Sequence, residues 1–244
     1  MSSKPVALVT GANRGLGRAV AAALAQRGAR VLLGARDLER GREAQRELAA
    51  AAIAVTPVKL DVTDAASVLA CSKRLADEHG RLDILINNAG VLIETPSAKL
   101  TAASMAETFD VNVFGVVTVT TALLPLLSAS SSPRIVNVTS RLGSLSLASA
   151  ERTFTNDAGQ VVAYSASKAA LNMLTIGFAQ AFASDPQLSH IKVNAATPGY
   201  TATNMTDHHG RSPQEGAKII VELAMLGDDG PTGGFFNDEG PLPW

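Results

Sequence analysis

The chain has 244 residues, of which 46% are hydrophobic, 18% charged and 4% aromatic, and its formal net charge is −1. That length suits one large α/β domain with a sizeable core, while the apolar content excludes disorder, and 20 glycines without period beside a single cysteine exclude collagen-like and disulfide-stapled scaffolds. Near-neutral charge lacks the basic surplus that a nucleic-acid partner requires, and lone Cys71 cannot form an internal disulfide, which fits a reducing, cytoplasmic setting.

The opening Met1-Ser2-Ser3-Lys4-Pro5 runs directly into apolar residues. It lacks the charged n-region and long h-region of a signal peptide, so none is expected. Short β-branched runs predict strands over 6–10, 30–34, 55–60, 84–86, 134–139, 191–195 and 234–236. Helical segments over 16–27, 38–52, 65–79, 102–127, 161–183 and 213–226 alternate with them. Most strand runs are continuously apolar, as in a parallel sheet covered on both faces. The β-α-β-α succession therefore predicts a doubly wound, mostly parallel, seven-stranded sheet with helices on both faces, in one domain. Residues 111–133 carry no charge but hold Asn112, Thr118, Thr120, Thr121, Pro125 and Ser128. That polarity predicts a helix buried in protein rather than one spanning a membrane, which needs about 20 predominantly apolar residues. Residues 128–133 read as a short loop, and the Gly- and Pro-rich 230–244 is expected to wrap the surface.

The first strand delivers Thr10-Gly11-Ala12-Asn13-Arg14-Gly15-Leu16-Gly17, a G-x-x-x-G-x-G loop that opens a helix. Glycines permit close ligand approach, and unpaired helix N–H groups suit a pyrophosphate. The plain alternative is an ordinary Gly-rich turn. After the second strand stands Ala35-Arg36-Asp37, with no carboxylate at position 35. An acid there binds the ribose 2′-OH of NAD, whereas an Arg accommodates the 2′-phosphate of NADP. Arg14 and Arg36 thus point to NADP in preference to NAD, unless both are simply solvated; Asp37 could be the missing acid, but ahead of Leu38-Glu39-Arg40 it looks like a helix N-cap. After the third strand, Asp61 is either a ligand for an adenine amino group or a cap, while Thr63 and Asp64 read as helix-start residues.

Further along, Tyr164 and Lys168 are four residues apart on a predicted helix and share one face, which Asn172 and Thr175 extend. Lys168 is the only charged residue between Asp157 and Asp185. A lysine in such apolar company must snorkel, lose its proton or find acceptors, and ribose hydroxyls would serve. Its ammonium would also favour ionisation of a nearby phenol, making Tyr164 a candidate general acid/base. The alternative is a surface lysine beside a core tyrosine.

These residues together resemble the classical short-chain dehydrogenase/reductases. The marks run in order along the chain: Thr10-Gly11 through Gly17, Asp61, Asn87-Asn88-Ala89-Gly90, Asn112, Ser140, Tyr164 with Lys168, and Pro198-Gly199. Ala35-Arg36-Asp37, Leu124-Pro125-Leu126-Leu127, Ile135-Val136-Asn137-Val138-Thr139-Ser140 and Gly230-Pro231-Thr232-Gly233-Gly234-Phe235 look most like the NADPH-dependent carbonyl-reductase branch. The resemblance implies a Rossmann fold, with a cofactor half over about 1–135 and a catalytic and substrate half over about 136–244. It implies hydride transfer from NADPH to a ketone or aldehyde. Tyr164 would be general acid/base, and Lys168 would hold the ribose and lower the tyrosine pKa. Ser140 would bind the carbonyl oxygen in preference to Thr139, and Asn112 would support a proton relay. Gly11, Asn13, Arg14, Gly15, Leu16, Gly17, Arg36, Asp61, Val62, Asn87, Asn88, Ala89, Gly90, Pro198, Gly199 and Thr201, with Tyr164 and Lys168, would line the cofactor.

Two departures stand out. Residues 149–160 form an insert before Tyr164 that would cap the substrate pocket or cover an association helix, so homodimer, homotetramer and monomer all stay open. The segment Asn204-Met205-Thr206-Asp207-His208-His209-Gly210 is short for a lid, which implies an open pocket. Adjacent His208 and His209 lack a Cys partner nearby and are not expected to hold a metal. The expected partner is a small carbonyl or alcohol substrate, with neither nucleic acid nor membrane. Competing readings are an alcohol dehydrogenase running oxidatively with NAD, disfavoured by Ala35, and a non-catalytic NADP sensor, disfavoured by the complete set Asn112, Ser140, Tyr164 and Lys168.

Overall fold

Strands that are apolar on every residue need cover on both faces, and the helices supply it. The computed structural model describes residues 4–150 and 160–244. Its strands are β1 (Val6–Val9), β2 (Arg30–Ala35), β3 (Val55–Lys59), β4 (Ile84–Asn87), β5 (Arg134–Val138), β6 (Lys192–Ala196), β7 (Phe235–Asn237) and β8 (Gly240–Pro241). The helices are α1 (Gly15–Gln26), α2 (Leu38–Ala50), α3 (Ala65–His79), α4 (Ala102–Phe109), α5 (Gly115–Ser128), α6 (Leu145–Ala150), α7 (Val162–Ala183) and α8 (Pro213–Ala224). Every residue of β1, β4 and β5 is buried. Along β1, Ala7 and Val9 face a core shared with Val20 and Leu24 of α1 and Ile220 of α8. Val6 and Leu8 face the other core, with Leu75 of α3, Leu123 of α5 and Phe182 of α7.

Among the described residues the strands form one sheet in the order β3-β2-β1-β4-β5-β6-β7-β8, so the expected doubly wound architecture stands. All neighbours pair in parallel except β7 and β8, which are antiparallel. The expected seven strands are thus eight. The extra one is two residues long and opens on Gly240, whose φ is +126°, and so leaves no hydrophobic run to read. Residues 230–244 accordingly extend the sheet rather than merely wrap it. The order reverses between β1 and β4, and the crevice at such a switch point is where open α/β sheets bind ligands.

The predicted helix over 102–127 is interrupted. A π-helical stretch, Asp110–Phe114, separates α4 from α5 and carries Asn112. By length and composition the run Ala102–Ser128 is apolar enough to cross a membrane, so its polar residues do not by themselves argue against spanning. What identifies it as a core helix is packing: Asn112, Val113, Val116, Val119, Thr120, Leu123, Leu126 and Leu127 are buried. Helix α6 was not expected, because Leu-Ser-Leu-Ala-Ser-Ala is too short for a clear helical period. The insert before Tyr164 lies outside the described residues over 151–159.

Polar side chains tie the sheet to its helices. Asn87 Nδ2 donates to Thr120 Oγ1 (3.2 Å) and to Asn137 Oδ1 (2.9 Å), and Asn137 Nδ2 donates to Thr175 Oγ1 (2.9 Å). These bonds join β4, β5, α5 and α7 beneath the crevice. Asn137→Ala strands a buried Asn87 donor and is expected to cost about 1–3 kcal/mol, read from the midpoint of urea denaturation.

Candidate active site

The glycine loop leaves β1 at the switch point. Gly11 and Gly15 have φ of +62° and +54°, a conformation that L side chains rarely adopt. At Gly17 a Cβ would stand 2.6 Å from the Gly11 carbonyl oxygen. The loop is stapled to the end of β4. Thr10 Oγ1 accepts from the backbone of Asn88 (3.0 Å) and Ala89 (2.9 Å), and Asn88 Nδ2 donates to the carbonyls of Thr10 (2.8 Å) and Gly11 (3.2 Å). Asn88 and Ala89 therefore shape the loop, and buried Asn87 acts from within the sheet. Helix α1 then starts at Arg14, in extended conformation, with no side-chain cap and no acid in its first turn. By contrast Asp37 caps α2, Asp64 caps α3 and Ser212 caps α8. The uncapped N–H groups and the close-packed glycines fit a pyrophosphate. Asn13 is half-buried, and Leu16 packs toward Gly216 of α8.

Two readings left open by the sequence separate here. Asp37 Oδ1 accepts from the backbone of Glu39 (2.9 Å) and Arg40 (3.4 Å), which leaves exposed Arg36 at the end of β2. Asp61 Oδ1 accepts from Thr63 N (3.0 Å) and Thr63 Oγ1 (2.7 Å), so that oxygen serves the turn. Val62 is buried against Gly115, where a Cβ would stand 2.8 Å from Val62 Cγ2.

The chemistry-bearing side chains converge at the ends of β4 and β5. Tyr164 and Lys168 sit one turn apart on α7, 8% and 4% exposed. The Ser140 hydroxyl lies near enough to the phenol to oppose the rise in its pKa, and its Oγ accepts from the Leu142 N–H (3.2 Å). Lys168 Nζ donates to the Val138 carbonyl (3.0 Å) and lies 5.5 Å from the Tyr164 ring centroid. A Cβ on Gly90 would stand 3.6 Å from Lys168 Nζ and 3.4 Å from Asn112 Oδ1, so Gly90 faces both. Asn112 is held by both backbone groups of Val91: Oδ1 accepts from N (2.9 Å) and Nδ2 donates to O (2.9 Å). Its Nδ2 also donates to Ser167 Oγ (3.0 Å) on α7. Thr139, the rival of Ser140, is 3% exposed and spends its hydroxyl on Asn172 Oδ1 (2.7 Å).

Burial sets the electrostatics, and it corrects one expectation. Desolvation pushes the Tyr164 phenol up to about 12, opposed by the nearby Ser140 hydroxyl. Desolvation likewise pushes Lys168 down to about 8. The expected lowering of the phenol by Lys168 is not found in the chain by itself: burial is the largest cause of the phenol's shift, and it acts upward. At neutral pH the phenol carries its proton and is poised as a donor.

At the end of β6, Gly199 has φ +69° and Thr201 Oγ1 donates to the carbonyls of Pro198 and Gly199 (both 3.1 Å). Arg211 escaped the sequence reading, since a lone arginine before a Ser-Pro cap carries no signal. Its Nε donates to the Pro198 carbonyl (2.7 Å), and its guanidinium pairs with Asp238. Thr201 bridges Arg211, which folds residues 201–211 onto themselves. Asn172 was read only as part of a polar face; its Nδ2 donates to the Gly143 carbonyl (3.1 Å) and clasps the Ser140 loop to α7.

Folded Lys168 releases its proton near 8 and the unfolded residue near 10.5, so the unfolded chain binds more protons between those values and stability rises with pH across them. Lys168→Met is expected to lack that rise and to match or exceed wild-type stability at pH 7, by about 1–3 kcal/mol. Denaturation midpoints of both proteins from pH 7 to 10 check this.

Comparison with known proteins yields concordant likenesses. The family model described as short chain dehydrogenase matches residues 5–214. A short-chain dehydrogenase of Penicillium roqueforti is 37% identical over 231 residues, covering 92% of this chain and 90% of the relative. Carbonyl reductase [NADPH] 1 of Rattus norvegicus is 31% identical over 277 aligned positions, covering 100% and 99%. Among solved structures, NADPH-bound carbonyl reductase from chicken fatty liver superposes with TM-score 0.85 at 27% identity and covers all of both chains.

Proposed function

The chain belongs to the short-chain dehydrogenase family, and we propose that within it this protein is a carbonyl reductase that uses NADPH to reduce a ketone or aldehyde. The observation that carries the reading is the Ser140–Tyr164–Lys168 constellation, a protonated phenol with a hydroxyl near it and a buried amine one helical turn away. NADPH, when bound, supplies the hydride. Tyr164 gives its proton to the carbonyl oxygen as the carbonyl carbon is reduced, and the Ser140 hydroxyl hydrogen-bonds that oxygen as charge develops on it. Lys168, still protonated at neutral pH, stabilises the phenolate left behind. Among the described residues one of its three N–H bonds is spent, on Val138, which leaves two in number for ribose hydroxyls. Asn112 fixes the Gly90-Val91 turn against α7, and its Oδ1 and Lys168 Nζ both face Gly90, which suits it to the proton-relay role.

Support for NADPH over NADH comes from the end of β2. Asp37 is committed to its helix cap, and Ala35 offers no carboxylate. Exposed Arg36, with Arg14 in the glycine loop, presents forked donors for a 2′-phosphate. The carbonyl-reductase relatives, named for NADPH, support the same choice.

Tyr164→Phe is expected to lower turnover of a ketone by about 10²–10⁴-fold with NADPH affinity retained. Wild-type turnover in that variant would remove the tyrosine from the reaction. Arg36→Ala is expected to raise the KM for NADPH about tenfold and that for NADH less than about twofold. Steady-state kinetics with both cofactors decides it, and equal changes would discredit the 2′-phosphate assignment.

A further inference from the structure

We propose that Trp244 is a positioning residue for Ser140, acting through Ser144; the proposal rests on the catalytic assignment of Ser140 made above. The C-terminal segment reaches the site by a short route. After β8 pairs with β7, the Leu242 N–H donates to the Phe235 carbonyl (2.7 Å). The Trp244 ring then stacks on Phe235, with centroids 5.5 Å apart and planes inclined by 19°. Phe235 is 1% exposed, so the platform under the indole is rigid.

That stacking sets where the carbonyls of Pro243 and Trp244 lie. Ser144 Oγ donates to the Pro243 carbonyl (2.7 Å), and the Ser146 N–H donates to the Trp244 carbonyl (2.9 Å). Ser144 is fully buried, and its hydroxyl also accepts from the Leu147 N–H (3.1 Å), capping α6. The residues between Ser140 and Ser144 form a single tight turn. In it the Gly143 N–H donates to the Ser140 carbonyl (2.9 Å) and the Ser144 N–H to the Arg141 carbonyl (3.0 Å).

The same turn lies flush on α7. A Cβ at Gly143 would stand 2.8 Å from Lys168 Cβ, and Asn172 holds the Gly143 carbonyl. The Ser140 turn is therefore gripped on one side by the catalytic helix and on the other by the segment that ends in Trp244. A hydroxyl that must meet a carbonyl oxygen within a few tenths of an ångström depends on both supports. With Trp244 unstacked, Ser144 loses its acceptor and the turn is held from α7 alone. The rest of the cofactor cradle, at β1 and α1, makes no use of this support.

The test compares Trp244→Ala, Trp244→Phe, Ser144→Ala and Ser140→Ala, using an aromatic ketone as probe. The readouts are kcat/KM for the ketone, NADPH affinity by calorimetry, and amide hydrogen exchange over residues 140–148. Trp244→Ala and Ser144→Ala are expected to lower kcat/KM about tenfold or more, with NADPH affinity changed less than about twofold and exchange faster within 142–148. Trp244→Phe, which keeps a ring on Phe235, is expected to restore most of the rate. Wild-type kcat/KM in Trp244→Ala, or loss of NADPH affinity in step with the rate, would overturn the proposal. Should Trp244→Ala fail to fold, Ser144→Ala decides by the same criteria. Unimpaired Ser140→Ala would instead sink the role of Ser140, and exchange over 142–148 would still report whether Trp244 holds the turn.

Discussion

A lysine held almost without water at the end of a central strand is the constraint around which the site is built. Its Nζ has the Val138 carbonyl as acceptor among the described residues, and burial is what draws its pKa down. Such a group is costly to bury, and it persists because the sheet and α7 leave it nowhere else to go. The cost is reflected in a pKa drawn down to about 8, which still leaves the ammonium charged at neutral pH. The same dehydration drives the neighbouring phenol the other way, so acid and cation stand side by side with their protons in place. Charge that appears on the phenol oxygen during reduction then meets a cation in a medium that screens it weakly.

Holding those two groups in register is the work of small amide and hydroxyl side chains. Asn87, Asn137 and Thr175 bind β4 and β5 to α7 from inside the core. Asn112, in the π-helical stretch, reaches across to Val91 and Ser167 and closes the opposite side. The π turn is what lets an asparagine leave the register of α4 and α5 and enter the crevice. Asn87 Oδ1 and Thr108 Oγ1 have no hydrogen-bond partner among the described residues. Elsewhere buried side-chain polarity is matched donor to acceptor, as a low-dielectric interior demands.

Glycines mark where backbone takes the place of side chains. Gly11, Gly15 and Gly17 let the first loop lie close to β4 and leave the start of α1 open. Gly143 does the equivalent service on the substrate side, laying the Ser140 turn against α7. One loop shapes a bed for phosphates and the other fixes a hydroxyl. Both depend on a missing Cβ at a point of closest approach.

The alternation of apolar runs with helical segments was enough to establish a doubly wound parallel sheet, because periodicity and burial are local properties of a chain. The spacing of Tyr164 and Lys168 likewise determined that they share a face, whatever they pack against. The order of motifs pointed to the cofactor loop and to Ser140. Only the tertiary structure decided that Thr139 is spent on Asn172, and that burial raises the phenol instead of Lys168 lowering it. It also revealed β8, the π turn and the bond from Ser144 to the Pro243 carbonyl. The Thr139 bond, the burial of the phenol and the seat of the C-terminal segment depend on which groups meet across long stretches of sequence and on how much water they lose in doing so. Hydrogen-bond competition and desolvation are properties of the assembled interior, and no window along the chain contains them.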